Sequence, residues 1–467
     1  MLRYISTRGA APALDFTGVL LAGLAADGGL YVPERMPQLA PDDLRALRGA
    51  SYGEIVTAAC RPFVLGSLPD GVFERCVAAA YERFTHPATV PLRQLGANDW
   101  LLELFHGPTL AFKDLALQLL GLLFAEVLER RGETITIVGA TSGDTGSAAI
   151  HAIAGRPRMR IVILHPHGRI SEVQRRQMTT VADANVFNVA LDGSFDDCQA
   201  LVKALFEDAA FRAEARLAAV NSINWARILA QVAYYVAAAV ALGVPDREIA
   251  FSVPTGNFGD VYAGYVASRM GLPIRRLVVA TNRNDILARF LASGRYASGS
   301  VEPTITPSMD IQVASNFERL LFDLLRRNGA AVQAWMARFA ADRAASVDAP
   351  TLARISGLFV GHRVDEPTTL ATMAHVRRTA GELVDPHTAV GLAAAAARRP
   401  PRHVAMVSLA TAHPAKFPDT VEQATGVRPQ LPAALADLFE RPERCAVLPN
   451  DLDALRAYIR AEVLPAA

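Results

Sequence analysis

Lysine is nearly absent from this chain. Among 47 basic residues only Lys113, Lys203 and Lys416 are lysine, and the rest are arginine. An arginine guanidinium is essentially always protonated, whereas a lysine amine can shed its proton and attack a carbonyl. Each lysine is therefore either a chance survivor or a candidate for chemistry that arginine cannot perform. Cysteine is scarce as well. Cys60, Cys76, Cys198 and Cys445 lie far apart and form no CxxC, which excludes structural zinc and fits a reducing cytoplasm. Net charge is only +1 and no block of like charge occurs, so a nucleic-acid partner is not expected. No apolar run is long enough for a membrane. The nearest, "VAYYVAAAVALGV", reads as a buried helix. The N-terminus lacks the apolar core of a signal peptide. The ten histidines are scattered, and the close pair His165 and His167 reads as a loop after a strand, so no metal site is expected.

What is present suits a globular enzyme of two or three domains: 467 residues, 51% hydrophobic and 20% charged. Residues 1–92 show helical spacing in "SYGEIVTAACRPFV" and "GVFERCVAAAYERF" and read as a small, mainly helical domain. From there on, short β-branched runs alternate with helical segments. "TITIVGA" leads into "GSAAIHAIAG", "MRIVILHP" into "ISEVQRRQM", and "IAFSVPT" into "GDVYAGYVASRMG". Strand followed by helix, repeated, predicts α/β architecture with open parallel sheets. The division expected is a smaller α/β domain over 93–225 and a larger one over 226–467, the latter with a helical insertion near 308–400.

In such folds ligands bind beyond the carboxyl ends of strands. Three loops stand there. In "PTGNFGD", Gly256 and Gly259 flank Asn257 and Phe258 just before a helix. Glycines there permit close backbone approach and unusual φ, which suits a phosphate; the alternative is an ordinary strand–helix turn. In "ATSGDTGSAAI", Thr141, Ser142, Gly143, Asp144 and Thr145 crowd small donors and acceptors before another helix. They suit a carboxylate ligand, or else Asp144 or Thr145 merely caps the helix. In "LATAHPAKF", Thr411 sits at a strand end. His413 reads as a loop residue without chemistry, and Lys416 as a second amine outside any glycine-rich setting.

Lys113 lies in "HGPTLAFKD", where a long helical pattern begins and runs to Gly132. The positive end of a helix and the flanking Phe105 and Phe112 both disfavour an ammonium there. A neutral lysine amine, a phosphate cup and a carboxylate loop together imply pyridoxal phosphate and an amino-acid substrate.

These motifs, with "ATNRNDIL", "SMDIQVASNFERLL", "DPHTAVG" and the N-terminal "GVLLAGLAADGGLYVPE", resemble the threonine synthase family in its bacterial and fungal branch, within the fold-type-II pyridoxal phosphate enzymes. The resemblance runs from about residue 4 to 425. It implies two parallel-sheet α/β domains and a mainly helical N-terminal domain. It implies that Lys113 is the Schiff-base lysine, that Gly256 to Gly259 hold the cofactor phosphate, and that Thr411 faces the pyridine nitrogen. The TSGDTG loop is similar to the segment that holds the substrate carboxylate. Asp144 stands where much of the fold type has Asn, which leaves its hydrogen-bonding role open. The reaction implied is O-phospho-L-homoserine plus water giving L-threonine and phosphate. The alternative is a related phospho-lyase or dehydratase that releases a 2-keto acid. Departure of phosphate needs a second anion site. The candidates are Asn282, Arg283 and Asn284, and Ser315, Asn316 and Arg319; for each the alternative is a helix cap or a surface charge. A monomer or small homo-oligomer is expected, without a nucleic-acid or membrane partner.

Overall fold

Two sheets of mostly parallel strands form the frame, as the strand–helix alternation predicts. The computed structural model describes residues 1–220 and 222–464. The six-stranded sheet runs Phe359–Arg363, Ile274–Thr281, Ile249–Pro254, Ala405–Ala410, Asp99–Glu103 and Leu92–Gln94. All its pairings are parallel except the last, a hairpin edge. The five-stranded sheet runs Ala446–Pro449, Val186–Asp192, Met159–Pro166, Ile135–Ala140 and Leu217–Ala218, all parallel. Ile249–Pro254 and Ala405–Ala410 are buried at every position. That is why each is apolar but for one buried serine, Ser252 or Ser408: parallel strands are covered on both faces.

The sheets divide the chain differently from the expected boundaries. Asp99–Glu103, placed by the sequence with the smaller domain, pairs with Ala405–Ala410 in the larger sheet. Ala446–Pro449, placed with the larger domain, returns to edge the smaller sheet against Val186–Asp192. The region 308–400 is not wholly helical either, because Phe359–Arg363 within it forms the edge of the six-stranded sheet.

Residues 1–92 form helices Phe16–Ala22, Pro41–Ala46, Tyr52–Val64 and Val72–Tyr81, with a small hairpin of Tyr4–Ser6 and Tyr31–Pro33. This unit shares one core with the helices Lys113–Arg131 and Trp225–Ala241. Trp225 lies between Tyr4 and Phe63, with ring centroids 6.0 Å from each. Both shared helices are apolar on nearly every face because both are enclosed. Helix Lys113–Arg131 ends at Gly132 in the left-handed conformation, as its pattern predicts.

Candidate active site

Strands Ile135–Ala140, Ile249–Pro254 and Ala405–Ala410 end on a common cavity of about 1580 Å³. Lys113, Ser142, Gly256 and Thr411 all line it. The N-terminal unit closes one side through Leu21 to Gly28.

Lys113 is the first residue of its helix and is buried. Two sets of bonds hold it there. Behind it, Asp114 accepts from the Thr109 amide at 2.8 Å and the Thr109 hydroxyl at 2.6 Å, closing the HGPTLAFKD turn. In front, the Phe112 amide donates to the Thr411 carbonyl at 2.9 Å, and the His413 amide donates to the Leu110 carbonyl at 3.0 Å. This stitching brings Lys113 and Thr411 to one wall. Gly107 is required by the turn, since a Cβ would lie 2.5 Å from the Asp114 Cβ.

The Lys113 Nζ donates to Asp144 Oδ2 at 3.2 Å. Burial lowers the Lys113 pKa. Asp144 opposes this, and the cations of Lys416 and Arg227 reinforce it. Asp144 begins its helix but makes no capping bond, so the simple cap reading does not describe it. Its Oδ1 receives Gln174 Nε2 at 2.9 Å and lies 2.9 Å from the Lys416 Nζ. Burial alone would raise this carboxyl, but the two ammonium groups outweigh burial and hold it well below the usual carboxylate range. The loop itself is organised by Thr141, whose hydroxyl oxygen accepts from the amides of Gly143 at 3.0 Å and Gly146 at 2.9 Å. Ser142 and Thr145 face the cavity.

The cup at Gly256 to Gly259 is built differently from the expectation. The unusual φ falls on neither glycine but on Phe258, at +64°, immediately before helix Gly259–Arg269. Phe258 tolerates it because its ring is buried between Phe317 and Phe359. Gly256 is needed for space, since a Cβ there would lie 2.6 Å from the Ser308 carbonyl oxygen. Loop amides and a helix N-terminus thus open together on the cavity, an arrangement that suits phosphate.

The second-anion candidates separate. Ser315 lines the cavity, and its hydroxyl donates to Asn257 Oδ1 at 3.3 Å. Asn316 sits behind the cup, with its amide and Nδ2 both donating to the Asn257 carbonyl. Arg319 is fully enclosed; its guanidinium serves the carbonyls of Tyr31 and Ile223 and Asn316 Oδ1. Asn282 and Asn284 are also absent from the wall. Asn282 Nδ2 donates to Thr304, Thr306 and Asp310, and Asn284 Nδ2 to the Glu302 carbonyl, which pins the segment 302–310. Arg283 pairs loosely with Glu302 at 3.9 Å outside the cavity.

Sequence reasoning missed two residues. Arg227 lines the cavity from helix Trp225–Ala241, is buried, and has an Nη1 with no partner among the described residues. Burial lowers its pKa to about 10. A lone arginine within the apolar "NWARILAQV" run was the available signal. His387 also reaches the wall; its Nδ1 lies 2.7 Å from Asp385 Oδ2, and its Nε2 accepts from the Ser308 amide at 3.3 Å. Lys416, read from the sequence as a second amine outside any glycine-rich setting, stands 2.9 Å from Asp144 Oδ1.

An enclosed lysine at the carboxyl end of a parallel sheet, facing a backbone phosphate cup, defines the class of open α/β enzymes that carry pyridoxal phosphate. Residues 85–360 match the family model described as pyridoxal-phosphate dependent enzyme, residues 3–81 the threonine synthase N terminus, and residues 388–459 the threonine synthase C-terminal region. The chain is 56% identical to threonine synthase of Pseudomonas aeruginosa, over 98% of each chain. Its structure superposes on that of pyridoxal-phosphate-bound threonine synthase from Brucella melitensis with a TM-score of 0.97, 52% identity and full coverage of both chains. On the yeast threonine synthase structure the TM-score is 0.94, at 38% identity, covering 99% of this chain and 98% of that one. The chain belongs to the threonine synthase family of pyridoxal-phosphate-dependent enzymes.

Proposed function

We propose that this cavity converts O-phospho-L-homoserine and water to L-threonine and phosphate. The observation that carries the reading is the enclosed Lys113 amine sharing one wall with the Gly256–Gly259 cup, Thr411 and the TSGDTG loop.

When bound, pyridoxal phosphate supplies an electron sink for bonds broken at the substrate α-carbon. The chain supplies the rest. Lys113 would hold the cofactor through its amine, and the same amine would move protons at the neighbouring substrate carbons. Its lowered pKa favours the free amine that both tasks need. The amides of Gly256 to Gly259 would hold the cofactor phosphate. Thr411, at the cavity wall, would offer its hydroxyl to the ring nitrogen. Ser142 and Thr145, at the cavity wall, would receive the substrate carboxylate. Arg227, with an Nη1 unmatched among the described residues, is the group that fits the substrate phosphate, and Ser315 lines the same cavity. A phosphate dianion would compensate a buried guanidinium, so binding and compensation coincide. Among the described residues no helix is long and apolar enough to cross a membrane. Cys60, Cys76 and Cys198 are buried and unpaired, which supports a cytoplasmic setting.

The test is one incubation of cofactor-loaded protein with O-phospho-L-homoserine in oxygen-18 water. Threonine carrying heavy oxygen, matched one for one to phosphate, is expected. Phosphate accompanied by 2-oxobutyrate would replace this reading with a lyase.

A further inference from the structure

We propose that Lys416 is a positioning residue for Lys113, acting through the Asp144 carboxylate that lies between the two amines. This rests on Lys113 being the reacting amine.

The geometry is a buried row of three charged groups drawn from three separate segments. Lys416 ends the short turn Pro414–Lys416 and is fully enclosed. Its Nζ donates to the Thr109 carbonyl at 2.6 Å and lies 2.9 Å from Asp144 Oδ1. Asp144 Oδ2 receives Lys113 at 3.2 Å. The other groups near Asp144 are neutral: the Gln174 amide at 2.9 Å and the Ser308 hydroxyl at 3.4 Å.

Without Lys416, Lys113 and Asp144 would form a matched buried ion pair. Such a pair holds its proton, because separating it leaves an uncompensated carboxylate in a low-dielectric interior. That would lock Lys113 as an ammonium, which cannot attack a carbonyl. With Lys416 present, the carboxylate already has a counter-ion. Two ammonium groups on one carboxylate then leave an excess positive charge, and losing one proton relieves it. Lys416 is tied to a backbone carbonyl at its far side, whereas Lys113 faces the open cavity. Lys113 is the amine placed to lose the proton.

The surrounding groups support the same direction. Arg227, from helix Trp225–Ala241, adds positive charge near Lys113. Asp114, on the Lys113 helix, is turned away to Thr109. His387 contacts the Ser308 amide and pairs with Asp385. His413 and His151 both lie near Lys416 and are held neutral, each lowered to about 4 chiefly by burial. None offers Asp144 an alternative cation.

The scarcity of lysine makes the test direct. Full-length chain labelled with carbon-13 at lysine Cε has three lysine signals to assign: exposed Lys203, and buried Lys113 and Lys416. The Lys113 signal is titrated without cofactor in the native chain, K416M, D144N and the double variant. The rate at which pyridoxal phosphate attaches is read from its absorbance. In K416M the Lys113 titration is expected to move up by about one to two pH units, with attachment at pH 7.5 slowed by about tenfold or more. Adding D144N should reverse both effects, since it removes the charge that Lys416 balances. A merely structural Lys416 would not be rescued by D144N. Should K416M fail to fold, K416Q keeps a donor toward Thr109 without the charge and should show the same shift. An unmoved Lys113 titration in a folded Lys416 variant, or a shift that D144N leaves in place, would overturn the proposal. Covalent cofactor attachment persisting in K113R would instead overturn the role of Lys113 itself, whatever the titrations show.

Discussion

Gly256 and Phe258 carry two halves of one constraint on the cofactor cup. Gly256 supplies room and Phe258 supplies the turn. Gly256→Ala places a methyl against the Ser308 carbonyl and should weaken pyridoxal phosphate binding about tenfold or more, measured by equilibrium dialysis. Arg227→Met should raise KM for the phosphorylated substrate about tenfold or more while leaving cofactor absorbance intact. Loss of cofactor in that variant would place Arg227 at the other phosphate. Asp260 gives a pH test. Burial raises its carboxyl from 3.8 to about 6, although the hydroxyls of Tyr234 and Tyr235 both donate to it. A raised acid binds its proton more tightly when folded. The folded state therefore loses stability from this group as pH climbs from about 4 to about 6, and the loss is complete above that. Asp260→Asn lacks this penalty. Its stability relative to the native chain should improve by at most about 3 kcal/mol between pH 4 and pH 7, read by urea unfolding without cofactor. At this scale the sequence was informative about residue type. It singled out Lys113, but it could not separate Ser315, on the cavity wall, from Asn316 and Arg319 beside it in the chain. Polar residues at a helix start look alike until their partners are known.

At the level of elements, the cup depends on a second layer. Helix Phe317–Leu324 begins behind it, and Asn316 ties the Asn257 carbonyl to the Ser222 carbonyl. Arg319 in turn ties Asn316 to the N-terminal hairpin at Tyr31. Asn316→Ala removes these donors and leaves part of Arg319 unmatched. We expect a stability loss of roughly 2 kcal/mol together with weaker cofactor binding. Unchanged affinity would mean that the cup holds its shape alone. The stop of helix Lys113–Arg131 at Gly132 was legible because a C-terminal glycine is a local signal. Strand Phe359–Arg363 was not. "FVGHR" is short and half polar because it is an edge, and its pairing with Ile274–Thr281 comes from distant sequence.

For the molecule as a whole, the returning C-terminal segment is the main departure from a linear division into domains. Ala446–Pro449 covers the edge of Val186–Asp192, and Leu455 and Ile459 are buried in the core of the smaller sheet. Removing residues from 444 onward should expose that edge and core, lowering Tm by several degrees and promoting association. A truncated chain with native Tm and the same elution volume would contradict this. The N-terminal unit lines the cavity through Leu21 to Gly28, so the walls of the site come from all three parts of the chain.

The sequence by itself determined the chemistry available. It determined which residue could be a reactive amine, which loops could approach a phosphate or a carboxylate, and that parallel sheets would present those loops together. Those properties live in residue type and in periods of a few residues. Only the tertiary structure decided which charges meet. Lys416 reaches Asp144, Arg227 is buried at the cavity wall with an Nη1 unmatched among the described residues, and Arg319 spends its donors on carbonyls of other segments. Such pairings join parts of the chain that no local pattern connects. Their energies come from burial and counter-charge, which exist only once the chain has closed around them.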